Sequence, residues 1–208
     1  MLQTQTIEPG TLSVLEKLML LPSLKNFYLV GGTALSLKYG HRISVDLDLF
    51  CNTDFNRQTI ADELTETFGS NFVFENTNPQ WAIFCYINQV KVDLVKYKYP
   101  QISEGEISGN LRLYGNPDLI AMKINAILGR GKKKDFWDMA ELLKHYSLAD
   151  CIEAHAKKYP SQQLLISVPQ ALTYFSDADE SEEPKSLKGQ TWASVKKSIQ
   201  QKVSDYLK

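Results

Sequence analysis

At 208 residues, 43% of them hydrophobic, the chain is long enough to bury a core as one domain or two small ones. Its formal net charge of −1 excludes a general electrostatic pull toward nucleic acid, so any such attraction must be local. No stretch approaches the roughly eighteen consecutive apolar residues of a membrane span, so no membrane partner is expected. Residues 1–10 have neither a basic start nor a long apolar run, and no signal peptide is expected. Cys51, Cys85 and Cys151 are odd in number and far apart, which reads as reduced, buried thiols in a cytoplasmic protein.

In chain order, Leu12, Leu15, Leu18 and Met19 recur at helical spacing, predicting a packing helix over 11–21 that Pro22 ends. Tyr28, Leu29 and Val30 then lead as a buried strand into Gly31 and Gly32. Glycines there let backbone approach a ligand, and amides opening the next helix favour anions such as phosphate. Thr33 to Tyr39 reads as that helix, stopped by Gly40. Residues 44–50 alternate as a strand, with Val45, Leu47 and Leu49 on one face and Asp46 and Asp48 on the other. Two carboxylates on one face are costly unless a cation lies between them, and Mg²⁺, which takes one or two carboxylates plus substrate phosphates, suits the pattern.

Farther on, Asp54 is positioned to cap a helix over 57–68 that Gly69 closes. Three β segments are predicted at 71–75, 81–87 and 90–97, the last two joined at Asn88-Gln89 as a hairpin. Asp93 stands alone among apolar neighbours in the third; pairing of that strand beside 44–50 would bring it to Asp46 and Asp48. Residues 100–117 read as a polar connection. Helices are predicted at 118–128, 134–146, 148–158, 162–174 (strained by Pro169) and 191–207. Five acids in the nine residues 176–184 read as a solvated loop. Lys123 and Arg130 are seven apart and would share a helix face if the helix reaches Arg130, and Asp135 and Asp138 project together near the start of the next helix. Taken alone, these form an ordinary basic turn with acids near a helix N-terminus.

The Gly-Gly turn with thirteen residues between Gly32 and Asp46 resembles the signature of the DNA polymerase β-like nucleotidyltransferases. The fuller run Gly-Gly-Thr-Ala-Leu (31–35) and His-Arg-Ile-Ser-Val-Asp-Leu-Asp-Leu-Phe (41–50) is similar to the AbiEii/AbiGii nucleotidyltransferase toxins. So are the Lys123-x6-Arg130 spacing and Lys134-Asp135-Phe136-x-Asp138. The resemblance spans residues 27–143. It implies an α+β fold: a mixed sheet with flanking helices in a catalytic half at 1–108, then a helical bundle at 109–208 that completes the cleft.

That resemblance also implies an enzyme that moves NMP from an NTP to an acceptor, first of all RNA such as a tRNA 3′ end. The protein would be the toxin of a toxin–antitoxin or phage-defence pair, with a cognate antitoxin as partner. Asp46, Asp48 and Asp93 would be catalytic and hold Mg²⁺ or Mn²⁺. Gly31, Gly32 and Thr33 would hold phosphates, with Lys123 or Arg130 offsetting their charge. Arg42 would brace a carboxylate or touch phosphate, Ser44 would support the strand entry, and Asp135 and Asp138 would complete the site or orient its basic groups. Lys132, Lys133 and Lys134 are expected to be exposed and to face an RNA backbone. Two other readings fit parts of the pattern: a non-catalytic NTP- or RNA-binding module of the same fold, and a glycosyltransferase using Asp-x-Asp, which the preceding Gly-Gly disfavours.

Overall fold

A computed structural model of the chain describes residues 1–74 and 79–208. Helix α1 (Pro9–Leu20) buries Val14, Leu15, Leu18 and Met19 and ends just before Pro22. Strand β1 (Tyr28–Val30) runs straight into α2 (Gly31–Tyr39), which starts at the two glycines themselves and stops at Gly40, left-handed at φ 65°. Strand β2 is shorter than the alternation predicted, Leu47–Cys51. The residues before it bond elsewhere: Ile43 N–H donates to Lys185 O at 2.9 Å and Ser44 N–H to Thr6 O at 3.0 Å. Asp46 therefore sits in a loop just ahead of the strand that carries Asp48.

Helix α3 (Arg57–Phe68) is capped by Asn56, whose Oδ1 accepts from Thr59 N–H at 3.1 Å, and not by Asp54. Asp54 instead meets Lys96 Nζ at 2.5 Å. Strands β3 (Phe72–Phe74), β4 (Ala82–Ile87) and β5 (Val90–Lys96) follow; the predicted end of the first, Glu75, lies outside the described residues. Asn88 and Gln89 both take positive φ, 50° and 67°, so this hairpin closes without glycine. The stretch read as a polar connection contains a further hairpin, β6 (Glu106–Ser108) and β7 (Leu111–Leu113), with Gly109 at φ 60° in its turn. Strands of three residues are too short to show period two. The division expected at 108/109 falls in that turn.

The strands form one mixed sheet in the order β3-β4-β5-β2-β1-β7-β6, parallel at β5/β2 and β1/β7 and antiparallel elsewhere. Helix α3 packs on β3 and β4, burying Ile60, Leu64 and Phe68, while Cys85 is buried on the sheet and its thiol is pushed up to about 12 by burial. The helical part comprises α4 (Asn116–Gly129), α5 (Lys133–Leu142), α6 (Leu148–Lys158), α7 (Val168–Thr173), α8 (Ser176–Asp179) and α9 (Trp192–Tyr206). The expected helix at 162–174 shrinks to α7 because Pro169 fits only a first turn, where its missing N–H costs nothing. The acidic stretch is partly ordered: Asp179 accepts from Trp192 Nε1 at 2.5 Å and pairs with Lys196 at 3.0 Å. Helices α4 and α6 pack together, and α9 joins α5, α6 and α7, while α2 bridges sheet and bundle through α4 and α5.

Candidate active site

Strand register lays Asp48 and Asp93 in one row across the sheet. Val30 at the end of β1 is level with Asp48 on β2, Asp48 with Asp93 on β5, and Asp93 with Phe84 on β4. Position 31 sits hard against this row: a Cβ there would lie 2.6 Å from Asp48 Oδ2, and the residue has φ 70°. Both facts require glycine. A Cβ at Gly32 would collide with the Arg42 guanidinium. Val30 at the N-cap of α2 has no side-chain acceptor, so the helix's opening amides are left for another partner.

Ahead of β2, the loop carrying Asp46 is fixed from two sides. Thr33 Oγ1 donates to Asp46 O and shares a second hydrogen bond with Ser44 Oγ at 2.8 Å. A distant strap lies across its start, with Leu187 N–H donating to His41 O at 2.9 Å and a bridge between Arg42 and Ser186. Below it, buried Asp138 gathers three cationic or donor groups: His41 Nε2 at 2.7 Å, Arg42 Nε and Nη2 at 2.6 and 2.9 Å, and Lys123 Nζ at 2.7 Å. Burial alone would raise the Asp138 pKa; Arg42, Lys123 and His41 outweigh it and hold the carboxyl well below 3.8. Asp135, also buried, takes Lys123 Nζ at 3.0 Å, Arg130 Nε at 3.6 Å and Lys132 N–H at 3.2 Å. Both carboxylates hold basic groups in place, and Asp135 also lines the cleft.

These elements enclose a cleft of about 220 Å³ lined by Gly31, Gly32, Thr33, Arg42, Ser44, Asp46, Asp48, Lys123, Arg130 and Asp135. Of the residues singled out in the sequence, Asp93 opens on a neighbouring cleft instead, and Asp138 lies beneath the floor. Lys123 is buried and engaged by two carboxylates, so the more accessible cations on the cleft are Arg130 and Lys134, whose side chains are 55% and 42% exposed. Lys134, like Lys132 and Lys133, is expected to be exposed, and it keeps 42% of its side chain exposed. It lines the cleft, 3.6 Å from Asp46 Oδ2. Lys134 is one turn before Asp138 on the same helix. Not foreseen were Leu119, Met122 and Ala126, which with Arg130 form a stripe at helical spacing along one cleft wall.

The carboxylates are coupled but not gathered into a triad. Burial, then the facing Asp93, raises the Asp48 pKa. Asp93 Oδ2 meets Lys91 at 2.7 Å, while its Oδ1 is buried with no hydrogen-bond partner among the described residues. Those residues contain no trio of His, Cys, Asp or Glu placed to hold a metal ion. Paired acids with one orphaned oxygen are nonetheless a donor set that suits a hard divalent cation, with Asp48 and Asp93 as the nearer ligands. Asp46 would join once Lys134 released it.

Residues 13–206 match the family model described as nucleotidyl transferase AbiEii toxin, type IV TA system. The chain is 32% identical over 203 residues to protein aq_aa25 of Aquifex aeolicus, covering 93% of this chain and 94% of that one. It is similar in fold to the nucleotidyltransferase toxin MenT4 of Mycobacterium tuberculosis, with a TM-score of 0.58 at 15% identity over 93% of this chain and 84% of that one. It is likewise similar to JHP933 of Helicobacter pylori, with a TM-score of 0.50 at 16% identity over 96% and 94%. Among the described residues no helix is long and apolar enough to cross a membrane. The chain belongs to the AbiEii family of nucleotidyltransferase toxins of type IV toxin–antitoxin systems.

Proposed function

We propose that the protein transfers NMP from an NTP to an RNA acceptor, such as a tRNA 3′ end, in the cytoplasm, and that a cognate antitoxin restrains it. The observation that carries this reading is the single cleft shared by the Gly31–Gly32 turn, Asp46 and Asp48 on one wall and Arg130 and Lys134 on the other. In this reading residues 1–108 supply the turn and the carboxylates, and 109–208 supply the basic wall. The amides of Gly31, Gly32 and Thr33 bind the β- and γ-phosphates, where the helix dipole favours negative charge. Arg130 and Lys134 neutralise the triphosphate, and Lys123 gives the cleft floor a fixed positive charge oriented by Asp135 and Asp138. Arg42 and Ser44 hold the Asp46 loop in place.

Asp46, Asp48 and Asp93 are suited to hold Mg²⁺ or Mn²⁺, which when bound supplies charge stabilisation to the attacking and leaving oxygens. The setting of Asp48, buried and facing Asp93 in the strand register, supports this assignment, since both raise its pKa and a cation offsets both. Asp93, at the far end of the row, accepts the proton of the acceptor hydroxyl. The test is incubation with each labelled NTP, Mg²⁺ and total RNA. Label should enter RNA with the wild type and not with Asp48→Asn; absence of transfer from every NTP to RNA rejects the reading.

A further inference from the structure

A second and larger cleft, about 730 Å³, opens at Asp93 on the side away from the glycine turn. Its lining is mostly aromatic: Phe50, Trp81, Phe84, Tyr97 and Tyr99, with Lys96 and Lys98 among them. Phe50 lines both clefts, so the two are neighbours. The rings are not simply core. Trp81 is 51% exposed and Phe84 37%, and the two meet edge-to-face with centroids 6.0 Å apart. Lys98 Nζ lies 5.0 Å from the Tyr99 ring centre. Large half-exposed aromatics in a concavity mark a binding site more often than a packing defect.

The strand register decides what the cleft faces. Along the row, the order is glycine turn, Asp48, Asp93, Phe84. In-line displacement at phosphorus puts the entering oxygen and the leaving group on opposite sides of the reacting centre. If the leaving pyrophosphate lies at the glycine turn, the entering hydroxyl comes from the Asp93 side, where the aromatic cleft begins. A nucleotide chain delivering that hydroxyl would place its bases over Trp81 and Phe84 and its phosphates near Lys98. Alternating basic and aromatic residues at 96–99 are the composition that single-stranded nucleic acid binding uses: stacking faces for any base, and charge for the backbone.

We propose that this cleft is the acceptor subsite, and that it takes the unpaired 3′ end of an RNA by stacking bases on Trp81 and Phe84. The inference rests on the nucleotidyl-transfer reading for its direction, but its test does not need turnover. Binding of a fluorescein-labelled twelve-nucleotide A-rich RNA, single-stranded or annealed to its complement, is followed by anisotropy on the full chain without NTP or metal. Trp81→Ala should weaken the single strand roughly five- to hundredfold and the duplex much less, because paired bases cannot stack on the ring. Trp81→Phe, which keeps a π-face, should recover most of the loss. The salt dependence should stay the same in Trp81→Ala, whereas Lys98→Ala should reduce the log–log slope by about 0.7. Trp137 is buried and Trp192 is packed among other rings, so RNA-induced quenching of emission should come from Trp81 and vanish in Trp81→Phe.

In a transfer assay Trp81→Ala should raise the KM for RNA and leave that for NTP unchanged. A raised KM for NTP with RNA binding intact would assign the cleft to the nucleotide's base and overturn the proposal, as would failure of the wild type to bind the single strand. Trp81-dependent RNA binding in a protein that transfers nothing would support the subsite and refute the transfer reading. Normal transfer with no effect of Trp81 would do the reverse.

Discussion

Asp138→Asn isolates the contribution of the buried carboxylate beneath the cleft. Asparagine keeps the shape but removes the charge, and one side of its amide becomes a donor facing donors. Arg42 and His41 then have no carboxylate at these distances, while Lys123 keeps only Asp135 at 3.0 Å. Breaking a buried ion pair from one side costs about 3–5 kcal/mol. For a chain of this length each kcal/mol moves Tm by roughly 2–4 °C, so the variant should melt roughly 6–20 °C below wild type. The double variant Arg42→Met/Asp138→Leu should lose less than the sum of its single changes, since no unpaired charge remains on that side.

The pH dependence follows from the direction of the shift. The folded pKa of Asp138 lies below its unfolded value near 3.8, so its contribution is present above that value and is lost as pH falls through the folded one. The stability gap between wild type and Asp138→Asn should therefore be flat from about pH 5 to 9 and shrink below about 3.8. Thermal melts monitored by circular dichroism across that range give both results. A variant melting within about 2 °C of wild type at pH 7 would refute the claim that this carboxylate is what stabilises the buried cations.

Asp48→Asn should abolish transfer yet raise Tm in metal-free buffer at pH 7, because the folded state no longer holds a carboxylate whose pKa burial and Asp93 have raised; the difference should vanish below pH 3.8, where the wild-type group is protonated in both states. A drop in metal-free Tm would argue against that coupling. Gly31→Ala should cost about 1–3 kcal/mol through its positive φ and should remove activity by displacing Asp48, which thermal melts and the transfer assay measure separately. Arg130→Ala and Lys134→Ala should each raise the KM for NTP. Lys132→Ala/Lys133→Ala should instead lower RNA affinity, with the salt slope falling by about 0.7 per lost contact in binding titrations.

Much of this was legible because the chemistry of the site sits on strong local signals. A glycine pair after an apolar strand, and acids alternating with Leu47 and Leu49, identify themselves by period and by residue type. The sequence could not say that β2 begins only at Leu47, because the N–H groups of Ile43 and Ser44 are claimed by residues about 142 and 38 positions away, at Lys185 and Thr6. Nor could it distinguish Lys123 from Lys134. Both are lysines on amphipathic helices, and only packing shows that one is buried between two aspartates and the other reaches into the cleft. The aromatic cleft was invisible for a different reason. Trp81, Phe84 and Tyr97 look like ordinary strand residues until the pairing of β5 on both sides brings them to one cleft.

The strap across the Asp46 loop has a consequence for timing. His41 and Ile43 are made early on the ribosome, but their backbone partners at 185–187 emerge more than 140 residues later. Until then the loop bearing a proposed catalytic acid lacks two of its anchors and has those to Thr6 and Thr33. A cell translating a toxin of this build would meet a fully braced cleft only after residue 187 has cleared the exit tunnel, and a message broken before that codon would yield a chain without the brace.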